Sequence, residues 1–237
     1  MRYLSILILV MSTLINNVAN ASIDVHSYIP HQAFQYFETI KKESDHLLPG
    51  FEYPYYFAGL IEHESCISLQ HRRCWNPNSK LETKREFGIG LGQITKTYNA
   101  DGSIRFDVLS DLRRAHMEEL KELSWSNVQQ RPDLQIRAIL IMSRANYKAL
   151  FKVSDTYERL AMADCSYNAG LGSVQKDRRY CGMKENCDPD KWFGNVEINS
   201  LKSRKPIYGT RSAFDISRNH VRKVLLETMS KYKPYFE

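Results

Sequence analysis

The 237-residue chain lacks any apolar stretch long enough to cross a bilayer. Its longest, Leu4 to Leu14, falls short of the roughly 20 residues a membrane helix needs. It also lacks a CxxC pair, which removes the usual spacing of a structural zinc site. No low-complexity tract, internal repeat or interdomain linker interrupts it, so it reads as one domain. The glycine-rich GIGLGQIT, Gly88 to Thr95, has no Lys where a phosphate loop requires one, and Gln93 stands where a dinucleotide fingerprint requires its third glycine. Both nucleotide readings fail on those positions. The net charge of +6 is spread over small groups such as Arg72-Arg73 and Arg178-Arg179, without aromatic interleaving. Nucleic-acid binding therefore has no support beyond the charge itself. A modest positive balance suits anionic polymers, cell wall among them.

At the N-terminus one basic residue, Arg2, precedes the apolar run, and Ala19-Asn20-Ala21 follows it. This order is that of a secretory signal cleaved after Ala21. The chain thus divides into a signal peptide, residues 1–21, and one domain, residues 22–237. Export to the periplasm is expected, with no stable membrane anchor after cleavage. No Cys stands directly after the apolar run, which argues against a lipid anchor. Five cysteines, Cys66, Cys74, Cys165, Cys181 and Cys187, fit an oxidising compartment. Cys66 with Cys74 and Cys181 with Cys187 are close enough to close small loops. Spacing alone does not decide the pairing, and that arrangement would leave Cys165 as a buried thiol.

A hydrophobic content of 43% with 25% charged residues is that of a globular protein, and the pattern is mainly helical. Helices are expected over residues 31–46, 54–64, 107–123, 132–152, 156–169 and 215–232. Pro54 and Pro132 suit first-turn positions, and Gly170 suits a helix end. Residues 65–106 are rich in turn formers, and TYNADGSIRF within them reads as a small hairpin about Asp101-Gly102. Residues 171–214 read as irregular.

Three short stretches contain residue types that carry chemistry. In FAGLIEHESCISL, Phe57, Leu60 and Ile61 form an apolar stripe whose next position is Glu64. Glu62 falls roughly 140° away, on what should be the other face. Glu64 thus continues a buried face near a helix C-terminus. Burial and the helix dipole both disfavour its charge there, as suits a proton donor. In GIGLGQIT, alternating glycines before Gln93 suggest backbone lying close to a ligand, with the Gln93 amide available to it. In SYNAGLG, Tyr167 lies on the stripe Leu160, Ala163, Tyr167, and Asn168 sits at the helix end.

Glu64-Ser65, Gly90-Leu91-Gly92-Gln93 and Tyr167-Asn168-Ala169-Gly170, in that order, resemble the soluble lytic transglycosylase catalytic domain over about residues 50 to 225. The resemblance implies a mainly α, lysozyme-like single domain, of the goose-type and soluble lytic transglycosylase kind, with a small β-hairpin. It implies peptidoglycan glycan strands as substrate, with neither metal nor cofactor. Glu64 would protonate the oxygen between N-acetylmuramic acid and N-acetylglucosamine. It would then accept the muramyl C6 hydroxyl proton as that oxygen closes onto C1, leaving a 1,6-anhydro end. Ser65 and Gln93 would hold Glu64 and an N-acetyl group, while Tyr167 and Asn168 would line the cleft.

The sequence departs from the family at Gly92, where Met is common. It departs again at His220 in ISRNHVRKV, where a Tyr is common; Tyr208 could supply that phenol. His220 reads either as a cleft residue or as a hydrogen-bonded core histidine. A hydrolytic lysozyme on the same fold would need a second acid, with Asp101 and Asp107 as candidates. A catalytically silent wall-binding component of a secretion or conjugation apparatus is the other alternative.

Overall fold

The computed structural model describes residues 27–237, so the expected signal peptide lies outside the described residues. A 3-10 turn at His31–Tyr36 leads into helix α1, Phe37–Leu47. Helix α2, Tyr56–Ser65, follows. Four short strands come next: β1 (Lys80–Glu82), β2 (Glu86–Ile89), β3 (Ile94–Tyr98) and β4 (Ile104–Asp107). They form an antiparallel meander in the order β1-β2-β3-β4. The expected hairpin is its last pair, with Lys96 opposite Asp107 and Gly102 at positive φ in the turn. The other two strands were not expected. β1 is three residues exposed throughout and β2 only four, half-buried and then buried, too short for an apolar alternation to announce them.

Helices α3 (Val108–Ala115) and α4 (Met117–Leu120) replace the single helix expected over 107–123, which breaks at His116. Helix α5, Pro132–Ala149, and helix α6, Thr156–Ala169, agree with expectation. Helix α7, Leu171–Gly182, occupies a segment expected to be irregular. Gly170 does end α6, at φ 81°, but the same residue also caps the start of α7, so the stop signal concealed a restart. A two-stranded ribbon, β5 (Pro206–Tyr208) with β6 (Arg211–Ser212), precedes helix α8, Ala213–Val221. Ser212 and Asp215 close a reciprocal capping box at the start of α8. The chain continues helically with wider turns over Arg222–Thr228 and tighter ones over Met229–Tyr235.

Helix α2 is the central element. Tyr56 to Glu62 are all buried, between α1 on one side and the winding 222–235 segment on the other. Gly59 makes this packing possible: a Cβ there would lie 2.8 Å from the Met229 Cα. Helix α5 packs against α1 and α6, and α6 also carries α7 and α8. The structure contains the disulfides Cys66–Cys74 and Cys181–Cys187. Cys165 is a buried free thiol whose pKa burial pushes up to about 12. Among the described residues no helix is long and apolar enough to cross a membrane.

Candidate active site

The expectation for α2 requires a correction. Glu62, placed on an outer face by its angle, is only 5% exposed at its side chain, whereas Glu64 is 16% exposed. The angular argument assumes that a helix has one wet face. Because α2 is enclosed, the 222–235 segment covers its second side as well. Lys231 Nζ meets Glu62 Oε1 at 2.8 Å, and the Tyr232 hydroxyl donates to Glu62 Oε2 at 2.5 Å. Burial raises the Glu62 pKa, and those two partners oppose the rise.

Glu64, at the last turn of α2, reaches a different set of partners. Its Oε1 lies 2.7 Å from His220 Nε2. On the other edge of the ring, His220 Nδ1 lies 2.7 Å from Asp164 Oδ2. Asp164 in turn accepts from the Tyr56 hydroxyl at its Oδ1, at 2.9 Å. His220 and Asp164 are buried, with side-chain exposures of 2% and 0%. Facing a carboxylate at each nitrogen, the ring satisfies both when both nitrogens carry hydrogen, as an imidazolium. Burial alone would lower its pKa, but the charges and hydrogen bonds of Asp164 and Glu64 outweigh it and raise the value to about 10.

His63 stands edge-on to His220, with ring centroids 4.5 Å apart. Burial, and then the neighbouring His220 charge, push it down to about 4, so it is neutral where His220 is charged. Tyr167 also stacks on His220, with ring centroids 6.4 Å apart, and its hydroxyl donates to the Gly92 carbonyl at 2.8 Å. Burial, followed by the charges of Glu64 and Asp164, keeps that phenol protonated. The three sequence motifs therefore meet through Glu64–His220, His220–Tyr167 and Tyr167–Gly92.

Gly92 sits where a side chain would collide. A Cβ there would come within 2.3 Å of Ile139 Cγ1 and 2.6 Å of the Tyr167 hydroxyl. Gly90, at φ 85°, leaves room for Gln135, whose Oε1 accepts from the Leu91 amide. The remaining expected site residues occupy other roles. Ser65 donates to the Ile61 carbonyl and accepts from the Trp75 amide, bracing the disulfide-closed loop that follows Glu64. Gln93 turns its amide nitrogen to the Gly90 and Ser79 carbonyls. No hydrogen bond among the described residues joins Ser65 or Gln93 to Glu64. Asn168 is exposed at the end of α6, next in sequence to Tyr167. Tyr208 is half exposed and donates to Glu86 Oε1 on β2, so the group standing with Glu64 is His220.

Asp101 is tied into its own turn by Ser103, and Asp107 caps α3 while accepting from Trp125. A groove of about 560 Å³ runs beside His63, lined also by Ser68, Gln70, Asn219 and Lys223; Glu64 does not line it. Among the described residues no group of His, Cys, Asp and Glu is arranged to hold a metal ion.

Asp164, Tyr56 and His63 were not anticipated as site residues. Asp164 had a readable signal, as the only acid within the apolar run Leu160-Ala161-Met162-Ala163-Asp164-Cys165, where an acid needs a partner. No protein-family model matches the chain, and no curated protein matches it.

Proposed function

We propose that the protein is a peptidoglycan lytic transglycosylase acting through Glu64. The supporting observation is that the three stretches, distant in sequence, are joined in one series of contacts, Glu64 to His220, His220 to Tyr167 and Tyr167 to Gly92, behind a partly exposed carboxylate. Under this reading Glu64 gives its proton to the oxygen linking N-acetylmuramic acid to N-acetylglucosamine. The C1–O bond then breaks, and the carboxylate left behind faces the His220 imidazolium at 2.7 Å. Opposing charge at that distance stabilises the carboxylate as it forms. Glu64 next takes the proton of the muramyl C6 hydroxyl while that oxygen bonds to C1, giving a 1,6-anhydro end and regenerating the acid. One carboxylate serves both steps. The engagement of Asp101 in a turn and of Asp107 at a helix cap favours this reading over a two-carboxylate hydrolase. The same reading makes the chain an exported, periplasmic protein that opens the wall locally, for its own turnover or for a secretion or conjugation apparatus.

The test is mass spectrometry of muropeptides released from purified peptidoglycan by the wild type and by Glu64→Gln. Anhydromuropeptides are expected from the wild type, with at least about a 100-fold loss in the variant, the scale of one general acid–base group. Reducing ends instead would identify a hydrolytic lysozyme. Wall binding without release by either form would identify a silent structural component.

A further inference from the structure

The cluster behind Glu64 is larger than proton transfer by one carboxylate requires. We propose that Asp164, held by Tyr56, is a positioning residue that keeps His220 a doubly donating imidazolium, so that Glu64 works as one half of a charge-paired acid–base unit. The inference rests on the reading of Glu64 as the reacting acid and assigns roles to two residues with no contact to substrate.

The geometry carries the argument. Asp164 is fully buried with two hydrogen-bond partners, the Tyr56 hydroxyl at one oxygen and His220 Nδ1 at the other, and Tyr167 of the same helix stacks on the His220 ring. A carboxylate buried this deeply is costly unless a cation compensates it, and the cation in contact is His220. The titratable groups around that ring are Glu64 and His63 on α2, Asp164 and Tyr167 on α6, and Tyr56 through Asp164. Lys223, on the segment after α8, lies farther out and acts on His63. The Asp164 carboxylate is a standing negative partner, and Glu64 adds a second whenever it has given up its proton, against one adjacent, neutral imidazole; the balance favours a charged His220. Because Tyr56 occupies the second Asp164 oxygen, the carboxylate cannot rotate away from Nδ1 without giving up a buried hydrogen bond.

The test pairs a spectroscopic readout with turnover. Nitrogen-15 spectra of the histidine side chains at pH 8 should show His220 with both ring nitrogens protonated in the wild type. In Asp164→Asn, which preserves shape but removes the charge, His220 should be neutral at that pH. Release of anhydromuropeptides by Asp164→Asn should fall about 10- to 100-fold in kcat, with KM little changed, part of the range one acid–base group supplies. Its alkaline limit of activity should also move to lower pH. Tyr56→Phe removes a single hydroxyl and should shift both readouts the same way by less, so the test survives if Asp164→Asn folds poorly. A neutral His220 in the wild type at pH 8 overturns the proposal, as does a variant with unchanged spectrum and pH profile. A wild type that shows the imidazolium yet releases no anhydro products overturns the catalytic reading and, with it, the assigned purpose, while the charge pairing stands.

Discussion

His63 and His220 are neighbouring rings with opposite electrostatic settings, and that opposition makes stability depend on pH in two directions. Burial holds His63 at about 4, below its ordinary 6.5. Its contribution is present above 6.5 and lost as pH falls through 4, because the unfolded chain binds the proton more readily. His220 is raised to about 10; its contribution is present below 6.5 and lost as pH rises through 10. Stability should therefore peak near neutrality. A shift the size of that at His63 is worth on the order of 3 kcal/mol when fully expressed. Chemical denaturation across pH should show His63→Gln flattening the acid limb and His220→Gln the alkaline limb, each measured as a difference from wild type. An acid limb unchanged in His63→Gln would show that this ring is not buried neutral in the fold. The stripe pointed to Glu64 by an argument that the packing reverses, since Glu62 is the more buried of the two. The partner of Glu64, His220, was legible only as a choice between cleft and core, because the deciding contacts lie 56 and 156 residues away in sequence.

At the scale of elements, α2 governs both the packing and the errors of expectation. Its length and start could be read from Pro54 and the apolar spacing. That Tyr56 to Glu62 are covered on every side could not, since the covering segment comes from the far end of the chain. The irregular geometry of that segment, wide turns to Thr228 and tight ones to Tyr235, also leaves no clean 3.6-residue period to read. Gly59 marks the closest approach between the two. In an ordinary helix interior Gly→Ala stabilises by about 1 kcal/mol. Here the added methyl would meet backbone at 2.8 Å, and backbone yields less readily than a side chain. Gly59→Ala should therefore reverse the sign and destabilise by about 1–3 kcal/mol, read as a lowered denaturation midpoint with unchanged slope. A stabilised variant would mean that α2 and the terminal segment pack more loosely than their spacing indicates.

At the scale of the whole molecule, the last turn of chain fastens the first helices to the site. Tyr232 reaches Glu62 and accepts from Trp75 Nε1, and its ring meets Phe37 of α1, as do Tyr235 and Phe236. Lys231, 1% exposed at its side chain, completes the pair with Glu62. This clamp lies two residues before Glu64 on the same helix, so the site's position depends on a contact spanning the whole domain. Lys231→Met removes the cation and leaves a buried carboxylate, a loss of about 3–5 kcal/mol. Glu62 already has a raised pKa, first because of its burial. Without Lys231 that value rises further, and a carboxyl with a raised folded pKa loses stability as pH climbs through it. The deficit of Lys231→Met should therefore be larger at pH 7 than at pH 5. Adding Glu62→Gln removes the charge and keeps an acceptor for the Tyr232 hydroxyl, so the double variant should recover most of the loss and show no such pH dependence. Urea denaturation of the wild type and the two variants at both pH values checks this. Equal losses for the single and double variants would show that Lys231 contributes packing alone, and the clamp would then be apolar.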